Sequence, residues 1–366
     1  MKKLFLIILT LILIPILTSC EKIETYSKYY NVYFDTTFEV ILETKNKEKK
    51  NNMNMYFLEV ENILSKYHKL FDRYNSYENI VNIYSINHRS TDTLRISTEL
   101  FETIKYVLEN EKETKVDSEY LFNIALGRVL ELWHDARDIC GYDEIFGEST
   151  GSCLAPDSEL LFENYSLNPD DIVLNEEDLT ITLPQGMTLD LGGVGKGYVA
   201  ELITKYLDNL DVSYYLNAGT SNLKYHYEGK EKNKFIRVKI TDPTSNYLDS
   251  GSDRYYATLK LPSDKVIITS GDYQRYYYDE VTHALYHHII DPRTRFPGNN
   301  GIRSVTIIGD DGAIGDIYST SVFLMTIEQG LDFINNLENY EAIWYASDGK
   351  IYKSNGMDKY IIEIKK

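Results

Sequence analysis

Three short stretches of this chain hold residue types that handle phosphate and metal. The first is Leu189-Asp190-Leu191-Gly192-Gly193-Val194-Gly195-Lys196-Gly197-Tyr198, which packs a carboxylate, several glycines and a lysine into a few residues. Glycines let main chain approach a ligand closely, turn amides can cradle an anion, and the lysine adds a point charge. The second is His287-His288-Ile289-Ile290-Asp291-Pro292-Arg293-Thr294. An imidazole there, with an ordinary pKa near neutrality, suits proton transfer. The third is Asp316-Ile317-Tyr318-Ser319-Thr320, with a carboxylate and a hydroxyl one helical turn apart. Both are hard oxygen donors of the kind Mg²⁺ accepts. Phosphate with metal is the chemistry the three share. Each stretch also has a plainer reading when taken alone: a tight strand-to-helix turn with a solvated lysine, an Asp-Pro turn with a hydrogen-bonded imidazole, and an ordinary helix start. Neither the P-loop spacing nor Gly-x-Gly-x-x-Gly is present, which excludes those two nucleotide sites.

The elements that must position these residues are legible from periodicity. The β-branched and aromatic run Tyr33 to Leu42 predicts a strand, and the polar run Lys45 to Asn52 a turn. From Met53 to Phe71, apolar residues recur at spacings of three and four, which predicts an amphipathic helix. Ser97 to Leu108, with Ser97 as N-cap, and Leu121 to Trp133 read as two more helices. Asp135 to Asn168 is polar and irregular, the best candidate for an insertion. A helix is expected from Gly197 to Leu210, its N-terminal amides and positive dipole end available to phosphate. Short strands are expected at Tyr214–Leu216, Phe235–Ile240, Tyr255–Leu261, Val266–Thr269, Val305–Ile308, Ala342–Trp344 and Tyr360–Ile364, with helices at Ala313–Met325 and Glu328–Leu337. Helices and strands interleave without a βαβ repeat, so the fold class is α+β with mixed or antiparallel sheets. With no Pro/Gly linker, residues 31–366 read as one large domain of two intimately packed halves.

Residues 1–20 read as an address. Lys2 and Lys3 precede an apolar run from Leu4 to Leu17, and Leu17-Thr18-Ser19-Cys20 resembles a bacterial lipobox in which Cys20 carries the lipid. Residues 21–30 would then be a polar tether, and the rest would lie outside the cytoplasm on a lipid anchor. The formal net charge is −18 and becomes more negative without the two lysines. Such a surface argues against nucleic acid and against anionic headgroups as partners. A phosphate-bearing ligand would therefore need local cations. Cys140 and Cys153 are either a small disulfide loop or two free thiols. The 32 tyrosines fit a compositional bias towards strand and edge residues.

In combination, the motifs resemble those of the ApbE-type FAD:protein FMN transferases, flavin-trafficking lipoproteins. Asp190 to Tyr198 is similar to that family's Asp-x-Gly-Gly-Ile-Ala-Lys-Gly-Tyr, and Thr269 to Tyr276 to its Thr-Ser-Gly-x-Tyr-x-Arg-Tyr. His288 to Thr294 matches its His-Ile-Ile-Asp-Pro-x-Thr, and Ser304-Val305-Thr306 stands at the expected distance before Asp316 to Thr320. Fainter matches run through Phe34-Asp35-Thr36, Tyr74 with Asn87, and Phe122-Asn123-Ile124 to Trp133. The resemblance implies an ApbE/T-fold-like architecture and Mg²⁺-dependent transfer of FMN from FAD to a Thr or Ser hydroxyl of an extracytoplasmic acceptor flavoprotein, with AMP released. It further implies that Asp316 and Thr320 hold Mg²⁺, with the Gly193 carbonyl a third ligand and Ser319 a weaker one. Asp190 and Lys196 would contact FAD, and Phe34, Tyr74, Leu121, Phe122, Asn123 and Ile290 would line its pocket. His288 would stand by the pyrophosphate as general acid or base. The chain departs from the family pattern at Arg295, where the family has Gly. It departs again at Asp117-Ser118-Glu119-Tyr120-Leu121 with Asn123, and at Asn217-Ala218-Gly219-Thr220-Ser221. Two other functions use the same residues: hydrolysis of FAD to FMN and AMP, and flavin binding without turnover.

Overall fold

The computed structural model describes residues 22–229, 231, 233–245 and 254–365. The lipobox-like Cys20 and the whole of residues 1–20 lie outside the described residues. The frame is an eight-stranded sheet in the spatial order Glu24–Tyr33, Thr36–Thr44, Ser213–Ala218, Asn222–His226, Lys265–Gly271, Ile302–Gly309, Glu341–Ala346 and Ile351–Lys353. Every neighbouring pair in it is antiparallel. Alternation decides which face is buried. In Thr36–Thr44, Phe38, Val40 and Leu42 are fully covered, while Glu39 and Glu43 stand on the other face.

Three helices, Lys47–Phe71, Gly195–Asp208 and Gly312–Leu324, join the main core on one side of the sheet through Val60, Leu64, Val199, Ile203, Ile317 and Val322. On the other side lies a three-stranded sheet, Phe235–Thr241, Tyr255–Pro262 and Ile361–Ile364, which buries Leu259 and Leu261 against Ile267, Ile308 and Ile343. Lys265–Gly271 and Ile302–Gly309 are therefore covered on both faces, which is why they read as continuous apolar runs. A third cluster, Val129, Trp133, Cys140, Cys153, Leu161, Tyr277 and Ile290, packs the helix Gly127–Cys140 beside the hairpin Tyr276–Tyr278/Leu285–His287. Within it Cys140 and Cys153 are disulfide-bonded, which decides between the two readings.

The α+β class and the antiparallel sheet hold as read. Several local expectations do not. Residues 24–30 are not a tether but part of the edge strand Glu24–Tyr33, where Tyr30 is buried and donates its hydroxyl to the Phe57 carbonyl at 2.7 Å. The expected strand Tyr33 to Leu42 is interrupted because Phe34 and Asp35 form the hairpin turn, with φ of 58° and 48°. The turn expected through Asn52 ends at Asn46, whose side chain caps the Lys47–Phe71 helix by accepting from Glu48 N and Lys49 N. The helix expected from Leu121 starts only at Gly127. Before it the chain is held open: Ile124 N donates to the Glu111 carboxylate at 3.1 Å, and Ala125 N to the Asn123 side chain at 2.7 Å. Residues 135–140, expected to be irregular, complete that same helix.

Candidate active site

A cleft of about 940 Å³ opens at the end of the central strands, large enough for a ligand of cofactor size. Its walls include Phe34, Tyr74, Leu121, Phe122, Asn123, Asp190, Gly193, Lys196, His288, Ile290, Asp316 and Thr320. Residues from six separate parts of the sequence thus face one volume.

The floor is made where two helices meet at glycine. A Cβ at Gly197 would stand 2.3 Å from Gly312 O and 2.6 Å from Asp316 Oδ2, so only glycine permits this approach. Gly197 N donates to Asp316 Oδ2 at 2.8 Å. That amide would otherwise serve its own helix, and the Gly193 carbonyl four residues back receives no main-chain N–H among the described residues. The helix begins at Gly195, two residues earlier than expected, and the amide at Gly197 is spent on protein.

Asp316 is 6% exposed. Its other oxygen has only a long contact from Asn222 Nδ2, at 3.4 Å. Burial raises the carboxyl to about 7, against the opposing pull of Lys196. Burial likewise lowers the Lys196 ammonium from its ordinary value, and the Asp316 charge counters it. A buried carboxylate with so little compensation is a site that a hard cation would satisfy. Thr320 offers its hydroxyl one turn further on, and the open Gly193 carbonyl adds a third oxygen. No group of three His, Cys, Asp or Glu converges among the described residues. Mg²⁺ does not require one, because it commonly keeps waters and takes one or two carboxylates together with phosphate oxygens. The donor set fits that ion. Ser319, the weaker candidate, is turned elsewhere: its Oγ is 2.8 Å from Ser270 Oγ and 3.3 Å from the Asp316 carbonyl, and the residue is not among those lining the cleft. Three positions after Asp316, it points into the helix–sheet contact instead.

The two histidines have opposite employment. His287 is buried with both ring nitrogens on main chain, Nε2 to Gly298 O at 2.8 Å and Nδ1 accepting from Ile289 N at 3.2 Å. His288 lines the cleft, and its Nδ1 lies 3.1 Å from Gln274 O, which can only accept. That contact assigns the proton to Nδ1 and leaves the Nε2 lone pair available. Burial, then the charge of Arg275, hold the ring well below its ordinary pKa, so it is neutral at physiological pH. A neutral ring with an available Nε2 lone pair can accept a proton but has none to give from that nitrogen.

Asp190 receives Gly192 N at 2.6 Å and the guanidinium of Arg73, a contact that sequence reasoning missed. Arg73 also donates to Gly127 O at 3.1 Å and lies over the Tyr74 ring, 5.4 Å from its centroid. Asn123 is turned partly towards protein, its Nδ2 donating to Leu167 O at 2.8 Å. Arg295, standing where the family has glycine, sits at φ 61° and is held there by donating to the carbonyls of Leu161 at 2.7 Å and Glu163 at 3.3 Å. Its own carbonyl accepts from Trp133 Nε1 at 2.8 Å. The Arg295 side chain thus holds the segment around Leu161 and Glu163. Arg137 and Arg275 also line the cleft; Arg275 falls within the Thr269 to Tyr276 motif, whereas Arg137 was not singled out from the sequence. A lone arginine in a helix or turn carries no periodic signal.

Comparison with known proteins covers these same residues. The sequence profile of the ApbE family matches residues 34–344. The chain is 28% identical over 276 residues to a protein of Klebsiella pneumoniae (strain 342) named FAD:protein FMN transferase, covering 75% of this chain and 77% of that one. It is 26% identical over 250 residues to a protein of the same name from Treponema pallidum (strain Nichols), covering 64% and 63%. Among solved structures, the ApbE protein of Thermotoga maritima superposes with a TM-score of 0.74 at 21% identity, over 93% of this chain and 100% of that one. The flavin transferase ApbE from Vibrio cholerae does so with a TM-score of 0.68 at 18% identity, over 93% and 100%. These two likenesses establish a shared fold. The profile match, running from the turn at Phe34 through all three chemical motifs, establishes the kinship: this chain belongs to the ApbE family.

Proposed function

We propose that this protein transfers FMN from FAD to a threonine or serine hydroxyl of an acceptor protein outside the cytoplasm, with Mg²⁺, and releases AMP. The observation that carries the reading is the meeting of Asp316, Thr320, Lys196 and His288 in one cleft walled by Phe34, Tyr74 and Phe122. Curated relatives named FAD:protein FMN transferase support it. The aromatic wall suits the flat, apolar isoalloxazine face. The cations and hard oxygens suit a pyrophosphate.

In the reaction, the acceptor oxygen attacks the flavin-side phosphorus in line. The bond from that phosphorus to the bridging oxygen breaks, and AMP leaves with its electron pair. His288 Nε2 would take the hydroxyl proton. Lys196 holds positive charge beside the phosphates. When bound, Mg²⁺ neutralises charge on the pyrophosphate oxygens. Asp316, Thr320 and the Gly193 carbonyl would hold it. No nucleophile is needed from this chain. The basic, apolar and Cys20-terminated sequence of residues 1–20 supports a lipid anchor to a bacterial membrane, with the protein outside the cytoplasm.

The test mixes the protein with FAD, Mg²⁺ and an acceptor domain bearing an exposed threonine. A fluorescent acceptor band that survives denaturing electrophoresis, and is absent with EDTA, supports transfer. AMP release with no band supports hydrolysis instead.

A further inference from the structure

Arg137 and Arg275 reach the cleft from different elements, the first from the end of the helix Gly127–Cys140, the second from the turn between the strands Lys265–Gly271 and Tyr276–Tyr278. Arg275 stands at φ 54°, a conformation disfavoured for arginine. Arg73, Arg293 and Arg303 are each ion-paired with an aspartate. Among the described residues neither Arg137 nor Arg275 is. Glu144 feels the charge of both, yet it accepts the main-chain N–H groups of Tyr276, at 3.1 Å, and Arg275. Burial, and then the neighbouring Arg275 charge, hold the Arg137 guanidinium below the ordinary arginine value. The chain has 56 acidic residues against 38 basic ones, so carboxylates for pairing are plentiful. Two mutually repelling arginines left without one, beside the same cleft, are a site for an anionic ligand.

We propose that Arg137 and Arg275 form a two-guanidinium clamp for the adenosine-side phosphate of FAD, which holds it as it departs as a nucleoside monophosphate. The inference rests on the transferase reading. The flavin-side phosphorus keeps its charge when one ester oxygen replaces another. The leaving phosphate alone gains charge, as the bridging oxygen becomes terminal and keeps the electron pair of the broken bond. The acceptor proton passes to His288 Nε2, which lies in the field of both arginines. Forked donors aimed at that oxygen act where charge develops.

The experiment titrates AMP and adenosine into the wild-type protein, R137Q and R275Q, and measures transfer with AMP as product inhibitor. Loss of a charged donor to phosphate predicts AMP affinity and AMP inhibition weaker by roughly 10- to 100-fold in each variant, with adenosine unaffected. R275Q changes only a rim residue in a turn, so it gives the answer even where R137Q loosens the disulfide-bearing segment. Equal AMP affinity in wild type and R275Q, or no AMP binding by wild type, overturns the clamp. If AMP affinity falls as expected while wild type flavinylates no acceptor, the clamp stands as a phosphate site and the transferase reading fails.

Discussion

Asp316 Oδ2 accepts the main-chain N–H of Gly197 at 2.8 Å, across two helices that touch through glycine. One bond thus orients the carboxylate and frees the Gly193 carbonyl from its helical partner. Asn222 continues the arrangement by donating to Gly312 O at 3.1 Å. Behind it, Lys224 and Glu201 form a buried ion pair at 2.9 Å, and Glu201 also accepts from Gly312 N at 2.7 Å.

Gly197→Ala should force this contact apart, because the new methyl would overlap Gly312 O. Overpacking of this kind costs about 1–3 kcal/mol. Chemical denaturation should register that loss together with a fall in Mg²⁺ affinity, whereas an alanine on the exposed side of the same helix should change neither.

Asp316→Asn keeps an acceptor for Gly197 N but removes a charge that the buried site disfavours. Transfer should fall by at least about 100-fold, since the metal contributes several kcal/mol to such steps. The melting temperature of the metal-free protein at pH 8 should stay level or rise. A marked fall in stability with transfer intact would contradict the assignment.

The motif residues were legible because each group is local: Asp190 to Tyr198, His288 to Thr294 and Asp316 to Thr320 lie close along the chain, where types and spacing are visible. What was missed depends on distant partners. Nothing near Arg73 announces Asp190, 117 positions away. For Ser319, spacing of three from Asp316 says that the two share a helix side, and does not reveal that Ser270 Oγ stands 2.8 Å from its hydroxyl. The strand Glu24–Tyr33 looked like a polar tether because an edge strand alternates exposed polar residues with few buried ones, and here Tyr30 alone is fully covered.

Glu111 supplies a pH test away from Asp316 and Thr320. It is buried, one oxygen has no partner among the described residues, and burial raises its pKa from 4.5 to about 8. The folded state therefore binds a proton more tightly than the unfolded state does. Stability should fall as pH rises from about 4.5 to 8, and level off above. Glu111→Gln should flatten that slope in denaturation curves taken across this range.

The Cys140–Cys153 bond spans 13 positions and braces the helix that carries Arg137. Replacing both cysteines with serine should cost roughly 2–3 kcal/mol by the loop-closure estimate. A reductant should lower the melting temperature of the wild type and leave that of the double variant unchanged.

The central claim, transfer rather than hydrolysis, is tested most directly by counting products in one reaction. AMP and flavinylated acceptor are quantified together over time with FAD, Mg²⁺ and a threonine-bearing acceptor. The expected result is one flavinylated acceptor for each AMP, with both lost in Asp316→Asn and on adding EDTA. AMP accumulating in excess, matched by free FMN and indifferent to the acceptor, would contradict it.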